Sequence, residues 1–353
     1  MTEFRLLMEE VRLQMTNKTT AISTILFLVS APVLALGCRG HETVALIALT
    51  DMQPAHAQAT NALLAKFPPT IHRACSADGL PVAAAEATWP DDYRMTHEGE
   101  ATGSWHFLDV PLDKTKADLS TLCADGCVVN ALRDQIAKFK EGHDSEQGAN
   151  ALRFIIHLVG DAHQPLHAES NNDRGGNCIP TDFLTIHAKR HLDSTTNKVS
   201  YDPELHSVWD KYIIDRQVSA KKPTASDITS FAGSLYAKAA GHRQQWGKFS
   251  LDDQLDTLLL GWVMESHALA VSTAYSKLVA GTPPRMISAR SLAGPAGLNS
   301  CEDEGFQDKI AEKHVAITKR YVATAGAVLD TQLEKAGIRL ARILDQLWDS
   351  VPH

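Results

Sequence analysis

Eight side chains of two chemical types, His41, Asp91, His106, His157, Asp161, His167, His206 and Asp210, recur along this chain at spacings that suit metal ligation. Imidazole nitrogen and carboxylate oxygen are donors that a borderline-soft divalent ion such as Zn²⁺ accepts. The densest stretch is Ala151 to His167, ALRFIIHLVGDAHQPLH, where apolar residues recur at helical spacing and His157 and Asp161 stand four apart on one face. Pro165 disfavours the helical conformation for Gln164, so the chain leaves the helix there and can swing His167 back toward the same centre. ELHSVWD repeats the i, i+4 arrangement with His206 and Asp210 on a second helix. Either pair alone reads best as a solvated or mutually hydrogen-bonded couple, a contact of about 0.2–0.5 kcal/mol. Two such pairs with further His and Asp residues upstream exceed what one tetrahedral ion needs, and they predict a polynuclear site. A metal cluster lowers the pKa of bound water, so hydrolysis is the chemistry to expect.

The elements that must position these residues are helices. Apolar periodicity near 3.6 predicts them over Val128 to Glu141, Ala149 to Gly160, Phe231 to Trp246, Asp253 to Val279, and Asp308 to Trp348 with a break near Ala336-Gly337. Phe183 to Ile186 is the best of few strand-like segments, so the class is mainly α. Arg285 to Asp308 is a long Pro/Gly/Ser-containing connection, read as a surface loop tethered through Cys301. No tandem repeat is evident. His163 lies two residues from Asp161 and points elsewhere on the helix, outside the cluster. His97, His143, His187, His191, His242 and His267 have no motif context and read as surface or core histidines.

These blocks, in their order, resemble the S1/P1 nuclease family of secreted, zinc-dependent enzymes that cleave single-stranded nucleic acid. The resemblance runs from Leu36 to the C-terminus. It is carried by Gly37-Cys38-Arg39-Gly40-His41, Thr88-Trp89-Pro90-Asp91-Asp92-Tyr93-Arg94, Trp105-His106-Phe107-Leu108-Asp109, Cys127-Val128-Val129-Asn130-Ala131 and Gly160 to His167. Arg174-Gly175-Gly176-Asn177, Leu205 to Asp210, and Trp262 to Tyr275 with Glu265-Ser266 extend it. The fold it implies is a single-domain helical one, like phospholipase C and P1 nuclease, with three zinc ions at the base of a cleft. By the same resemblance Asp91, His106, His157 and Asp161 hold the first zinc, and His167, His206 and Asp210 the second. His41, a bridging Asp161, and the amino nitrogen and carbonyl oxygen of the mature N-terminal residue hold the third. That residue precedes the ligand histidine by five positions in the family, which here is Leu36 in place of a tryptophan.

The resemblance further implies attack on phosphorus in line, cleavage of the P–O3′ bond and release of 5′-phosphates. Asp91 would orient the nucleophile. Arg94 would meet the phosphoryl oxygens where charge develops, with a buried counter-ion for the acidic cluster as its equal alternative. Phe107 would stack on a base and Asp109 read its polar edge, whereas without the resemblance Phe107 would be assigned to the core. Asn177 would line the cleft. The expected substrates are single-stranded DNA, RNA and 3′-nucleotides. A zinc phospholipase C, a non-catalytic zinc-binding protein and a helical interaction domain remain as alternatives. All the side-chain ligands are present, which weighs against the second. The Phe107/Asp109 pair and the Arg174 to Asn177 block weigh against the first.

The remaining features bear on where the protein works. Ala21 to Ala35 is a short apolar run after Lys18, and Val33-Leu34-Ala35 fits the small-residue pattern before a signal-peptidase cut. We therefore expect a leader over 1–35, with a start at Met15 giving a more ordinary one, and a catalytic domain over 36–353. The run is too short for a membrane span, so no stable membrane anchor is expected, and a lipidated Cys38 is the minority alternative. Six cysteines make an even count, which in an exported chain favours disulfides of unreadable connectivity. A monomer, secreted or periplasmic, is expected. The formal net charge of −8 weighs against tight binding of duplex by phosphate neutralisation over a basic face and favours short or single-stranded substrates. A metal cluster would supply positive charge locally instead.

Overall fold

The computed structural model of the protein describes residues 36–71, 75, 78–194, 197–218, 222–251, 254–292, 301 and 303–352, and these are mainly helical. The expected leader lies outside the described residues. Helix α1 (Gly37–Asp51) carries His41 and is buried from Gly40 to Ala48. Helix α2 (Pro54–Lys66) opens on a proline, whose missing N–H has no intrahelical acceptor to lose. Helices α3 (Val128–Gly142) and α4 (Glu146–Ala162) pack along each other as an αα-hairpin. The first is amphipathic and turns Val128, Leu132, Ile136 and Phe139 inward. The second is buried without interruption from Ala151 to Ala162. Ser145 caps it by accepting from Gly148 N at 3.2 Å, a contact of about 1 kcal/mol. A helix enclosed on every face can carry ionisable groups only where they are paired or bound, and this one carries His157 and Asp161.

Strand β1 (Thr181–Phe183) overlaps the expected Phe183 to Ile186, but the strand ends at Phe183. Leu184 sits at φ 57°, and Ile186 folds back to exchange hydrogen bonds with Phe183. β2 (Lys189–Leu192) and β3 (Val199–Asp202) form an antiparallel ribbon. The chain then enters α5 (Leu205–Ser207), a π turn over Val208–Tyr212, and α6 (Ile213–Val218). Helix α7 (Ala225–Lys238) begins before the expected Phe231, because Thr224 and Asp227 form a reciprocal capping box ahead of the apolar period. It gives way to a 3-10 turn at Ala239–Gly241 before reaching Trp246. Helix α8 (Leu255–Leu269) runs into a π turn over Ala270–Tyr275, and Val279 stands in a strand and not in the helix.

β4 (Val279–Ala280), β5 (Arg285–Met286) and β6 (Val315–Ile317) join β1 in a small sheet of order β1-β6-β4-β5, parallel only between β1 and β6. The segment expected as one helix from Asp308 is therefore a short helix, Phe306–Ala311, the strand β6, and then α9 (Lys319–Asp349). The 31 residues of α9 span about 46 Å without the break expected at Ala336-Gly337. Gly337 is a contact point. A Cβ there would lie 2.3 Å from Ile47 Cγ2, so the glycine lets α9 press against α1. Three disulfides, Cys38–Cys75, Cys123–Cys127 and Cys178–Cys301, pair all six cysteines, and the last ties down the connection expected to be tethered at Cys301. That connection is not all loop, since it contains β5 and a turn of helix at Ala289–Leu292.

Candidate metal centre

Six segments converge on one buried region. α1 brings His41, a one-turn helix (Trp89–Tyr93) brings Asp91, and a 3-10 turn (Glu100–His106) ends on His106. α4 brings His157 and Asp161, and the run through α5 and its π turn brings His206 and Asp210. His167 arrives on the turn Pro165–His167, after the chain leaves α4 as Pro165 requires. The eight side chains are all buried, with His206 the least so at 7 % exposed. Their donor atoms cluster as His41/His157/Asp161, Asp91/His106/His157 and His167/His206/Asp210, each within 4.8 Å. The eight side chains read from the sequence as candidate ligands are thus brought together. One boundary is shared differently, in that His157 stands between the His41 and Asp91 groups, its ring stacked 3.8 Å from that of His41.

Backbone carbonyls orient three of the rings. His157 Nδ1 lies 2.8 Å from Ala87 O, His167 Nδ1 2.8 Å from His106 O and His206 Nδ1 2.7 Å from Gly175 O. Each contact takes up the Nδ1 hydrogen and leaves an Nε2 lone pair facing the centre, as a metal ligand requires. Gln164 donates to Asp210 Oδ1 at 2.5 Å, turning Oδ2 toward His206 Nε2 at 3.0 Å. The chain carries Gln164 within the quoted motif, yet only the structure assigns it this task. Asp161 is central: Oδ2 lies 2.9 Å from His106 Nδ1 and 3.1 Å from His157 Nε2, and Oδ1 lies 3.4 Å from His41 Nε2.

Without metal, burial disfavours charge on Asp91, His41 and His106. Burial pushes the Asp91 carboxyl up to about 6, against the opposing pull of His157 and Arg94. Burial also pushes His41 down to about 4 and His106 down to about 3. Asp161 resists burial because His157 and His167 hold it well below the usual carboxylate range. Seven buried polar atoms have no hydrogen-bond partner: both nitrogens of His41, both oxygens of Asp91, His106 Nε2, Asp161 Oδ1 and Asp210 Oδ2. His41 Nε2, Asp91 Oδ1, Asp161 Oδ1 and Asp210 Oδ2 lie in ion-pair contacts of 3.4 Å or less, and the other three, at about 1–3 kcal/mol each, still cost several kcal/mol. Such a set is tolerable only if cations occupy the space between the donors, so the residues fit divalent metal.

Around the centre, Arg94 Nη2 lies 3.1 Å from Asp91 Oδ1, without hydrogen-bond alignment, and its side chain is partly exposed. It is thus both a counter-ion and accessible from outside. Phe107 does not enter the core: it is 37 % exposed beside buried His106. Asp109 is also at the surface, its carboxyl raised by the protein around it and by the charge of Asp173. Asn177 is half-buried and donates to Arg174 O at 2.6 Å. Leu36 is buried, its side chain lying over Gly40 and Gly160, so leucine packs where the tryptophan is missing. Gly37, at φ 57°, adjoins Asp210, where a Cβ would come 2.5 Å from the carbonyl oxygen. His163 faces away from the centre, toward Val159 O and Arg339, as expected.

The fold is mainly helical and encloses three buried His/Asp groups that could hold metal ions, with the exposed Phe107 following one of them in the chain. Comparison supplies the family. The S1/P1 Nuclease family profile matches residues 36–349. The chain is 26 % identical over 342 residues to Nuclease S1 of Aspergillus oryzae, covering 90 % of this chain and 96 % of that one. It is 28 % identical over 247 residues to Nuclease P1 of Penicillium citrinum, with 66 % and 79 % covered. Endonuclease 4 of Arabidopsis thaliana is 30 % identical over 333 residues, with 90 % and 91 % covered. The chain belongs to the S1/P1 nuclease family, and its class of activity is that of a nuclease. No helix among the described residues is long and apolar enough to cross a membrane.

Proposed function

We propose that the protein is an exported, zinc-dependent phosphodiesterase that cleaves single-stranded DNA and RNA at the P–O3′ bond, leaves 5′-phosphates, and removes phosphate from 3′-nucleotides. The observation that carries this reading is the set of seven buried donor atoms without a hydrogen bond, spread over the three His/Asp groups, in a chain of this family. Asp91, His106, His157 and Asp161 would hold one ion, His167, His206 and Asp210 a second, and His41 and Asp161 a third. The backbone amine and carbonyl of Leu36 would complete the third after cleavage of a leader over 1–35, leaving 36–353 as the catalytic domain. Zinc bound there supplies Lewis acidity and a nucleophile at neutral pH.

This chain's residues do the rest. Arg94 stands at the accessible side of Asp91, where its permanent charge can meet phosphoryl oxygens. Phe107 offers a ring face to an unstacked base, which duplex would not present, and Asp109 can accept from a base N–H. Asn177 would line the same cleft. Three disulfides support an oxidising compartment. Metal analysis of exported protein, with N-terminal sequencing and digests of single-stranded DNA, RNA, a 3′-nucleotide and phosphatidylcholine, tests the reading. A metal count of one, an N-terminus at Cys38 or hydrolysis of the phospholipid alone would overturn it.

A further inference from the structure

The turn from Ala162 to Gln164 joins two ligand sets, because Asp161 precedes it and His167 follows it. Its backbone carbonyls are fully partnered. Gly160 O and Asp161 O accept from the N–H groups of His163 and Gln164, both at 3.0 Å, which closes the helix locally. The other partners come from side chains. Val159 O is 2.7 Å from His163 Nδ1, Ala162 O accepts from Ser266 Oγ at 2.8 Å, and His163 O accepts from Gln332 Nε2 at 2.9 Å. Gln332 Nε2 also lies 3.1 Å from Ser266 Oγ, so the two clamps are joined.

Arg339 locks the same turn about two helical turns further along α9. Its Nη1 lies 2.8 Å from His163 Nε2, and the guanidinium has no acceptor of its own, so the imidazole accepts and its Nδ1–H is committed to Val159 O. The two terminal nitrogens grip Glu265 at 3.0 and 3.1 Å, and the cation lies 4.9 Å from the centre of the Trp262 ring. Ser266, Gln332, His163 and Arg339 are all buried, so their contacts with the turn are shielded from competing water, whereas Glu265 is exposed. Helices α8 and α9 supply no side chain to the metal centre.

We infer that Ser266, Gln332 and Arg339 are positioning residues: from two helices that contribute no ligand, they hold the 162–164 turn and so set the separation between Asp161 and His167. The inference rests on the metal reading above. Outer partners of ligands typically change metal affinity by about 10–100-fold, and the same range is expected here although the hold is on backbone.

Ser266→Ala, Ser266→Thr, Gln332→Met and Thr60→Val variants of the full exported chain would be compared by zinc content and by competition with a chromogenic chelator. Thr60→Val removes the buried hydrogen bond from Trp348 Nε1, 2.9 Å long, near the other end of α9 and about 24 Å along the helix from Gln332. It controls for lost stability alone. Ser266→Ala and Gln332→Met should lower zinc affinity about tenfold or more and lower kcat with little change in KM, while Ser266→Thr and Thr60→Val keep native affinity. Native affinity in Ser266→Ala and Gln332→Met, or an equal loss in Thr60→Val, would overturn the inference. A wild-type chain that binds no zinc would instead overturn the metal reading itself. Should Gln332→Met fail to fold by circular dichroism, Ser266→Ala, which removes one hydroxyl, decides alone.

Discussion

His167 and His206 aim their Nε2 atoms at each other across 3.2 Å, with the rings stacked 24° from parallel. Since both Nδ1 hydrogens are taken by carbonyls, neutral rings would oppose two lone pairs, and a proton or a metal must lie between them. Burial lowers the His206 pKa, but the Asp210 charge followed by that of Glu204 outweighs it and holds His206 up at about 9, above the ordinary 6.5. In metal-free protein this proton stabilises the fold fully below pH 6.5, and the contribution is lost as pH rises through 9. For a fully buried group the change is on the order of 3 kcal/mol. Chelator-treated protein should therefore lose thermal stability between pH 7 and 9.5, in contrast to zinc-loaded protein, which changes little. A flat profile for the chelated protein would contradict this account.

Asp161 should be the least replaceable ligand, because its two oxygens face different partners, His41 on one side and His106 with His157 on the other. Asp161→Asn removes the charge on both sides. Two of three zinc ions and nearly all turnover should be lost, as read by metal analysis on folded protein. Retention of three ions with ordinary activity would show that Asp161 bridges nothing.

Part of the candidate site is legible in local spacing: His157/Asp161 and His206/Asp210 are one helical turn apart and Pro165 marks where the chain turns back, while His41, Asp91 and His106 are placed only by the family resemblance. What spacing does not encode is how a segment is covered. The apolar period from Asp308 onward runs across a strand, because Val315–Ile317 is an inner strand between β1 and β4 whose β-branched Val315 and Ile317 are buried, and burial satisfies either period. Phe107 has the composition of a core residue, and only the family resemblance points to the exposed position it holds. Ser266, Gln332 and Arg339 lie some hundred residues or more from the turn they hold, so no local pattern announces them.

Gly337 provides a test of that packing. In an exposed helix, replacing glycine by alanine gains roughly 1 kcal/mol. Here the added methyl would meet Ile47, whose β-branched side chain has little freedom to rotate away. Overpacking of this kind costs about 1–3 kcal/mol, so Gly337→Ala should lower the denaturant midpoint while zinc content stays native. A stabilised variant would mean that α1 and α9 can separate without cost.

Phe107 separates base recognition from chemistry. Its ring is 37 % exposed, so Phe107→Ala should leave both stability and metal content near native. If the ring stacks on a base, the substitution weakens binding of single-stranded DNA or RNA by about 1–3 kcal/mol. A small phosphodiester that carries no base makes no such contact, and its hydrolysis should fall much less. Both rates would be measured on the same zinc-replete preparation. Equal losses on the two substrates would point to disturbance around His106, the preceding residue, and unchanged cleavage of nucleic acid would remove Phe107 from the binding surface.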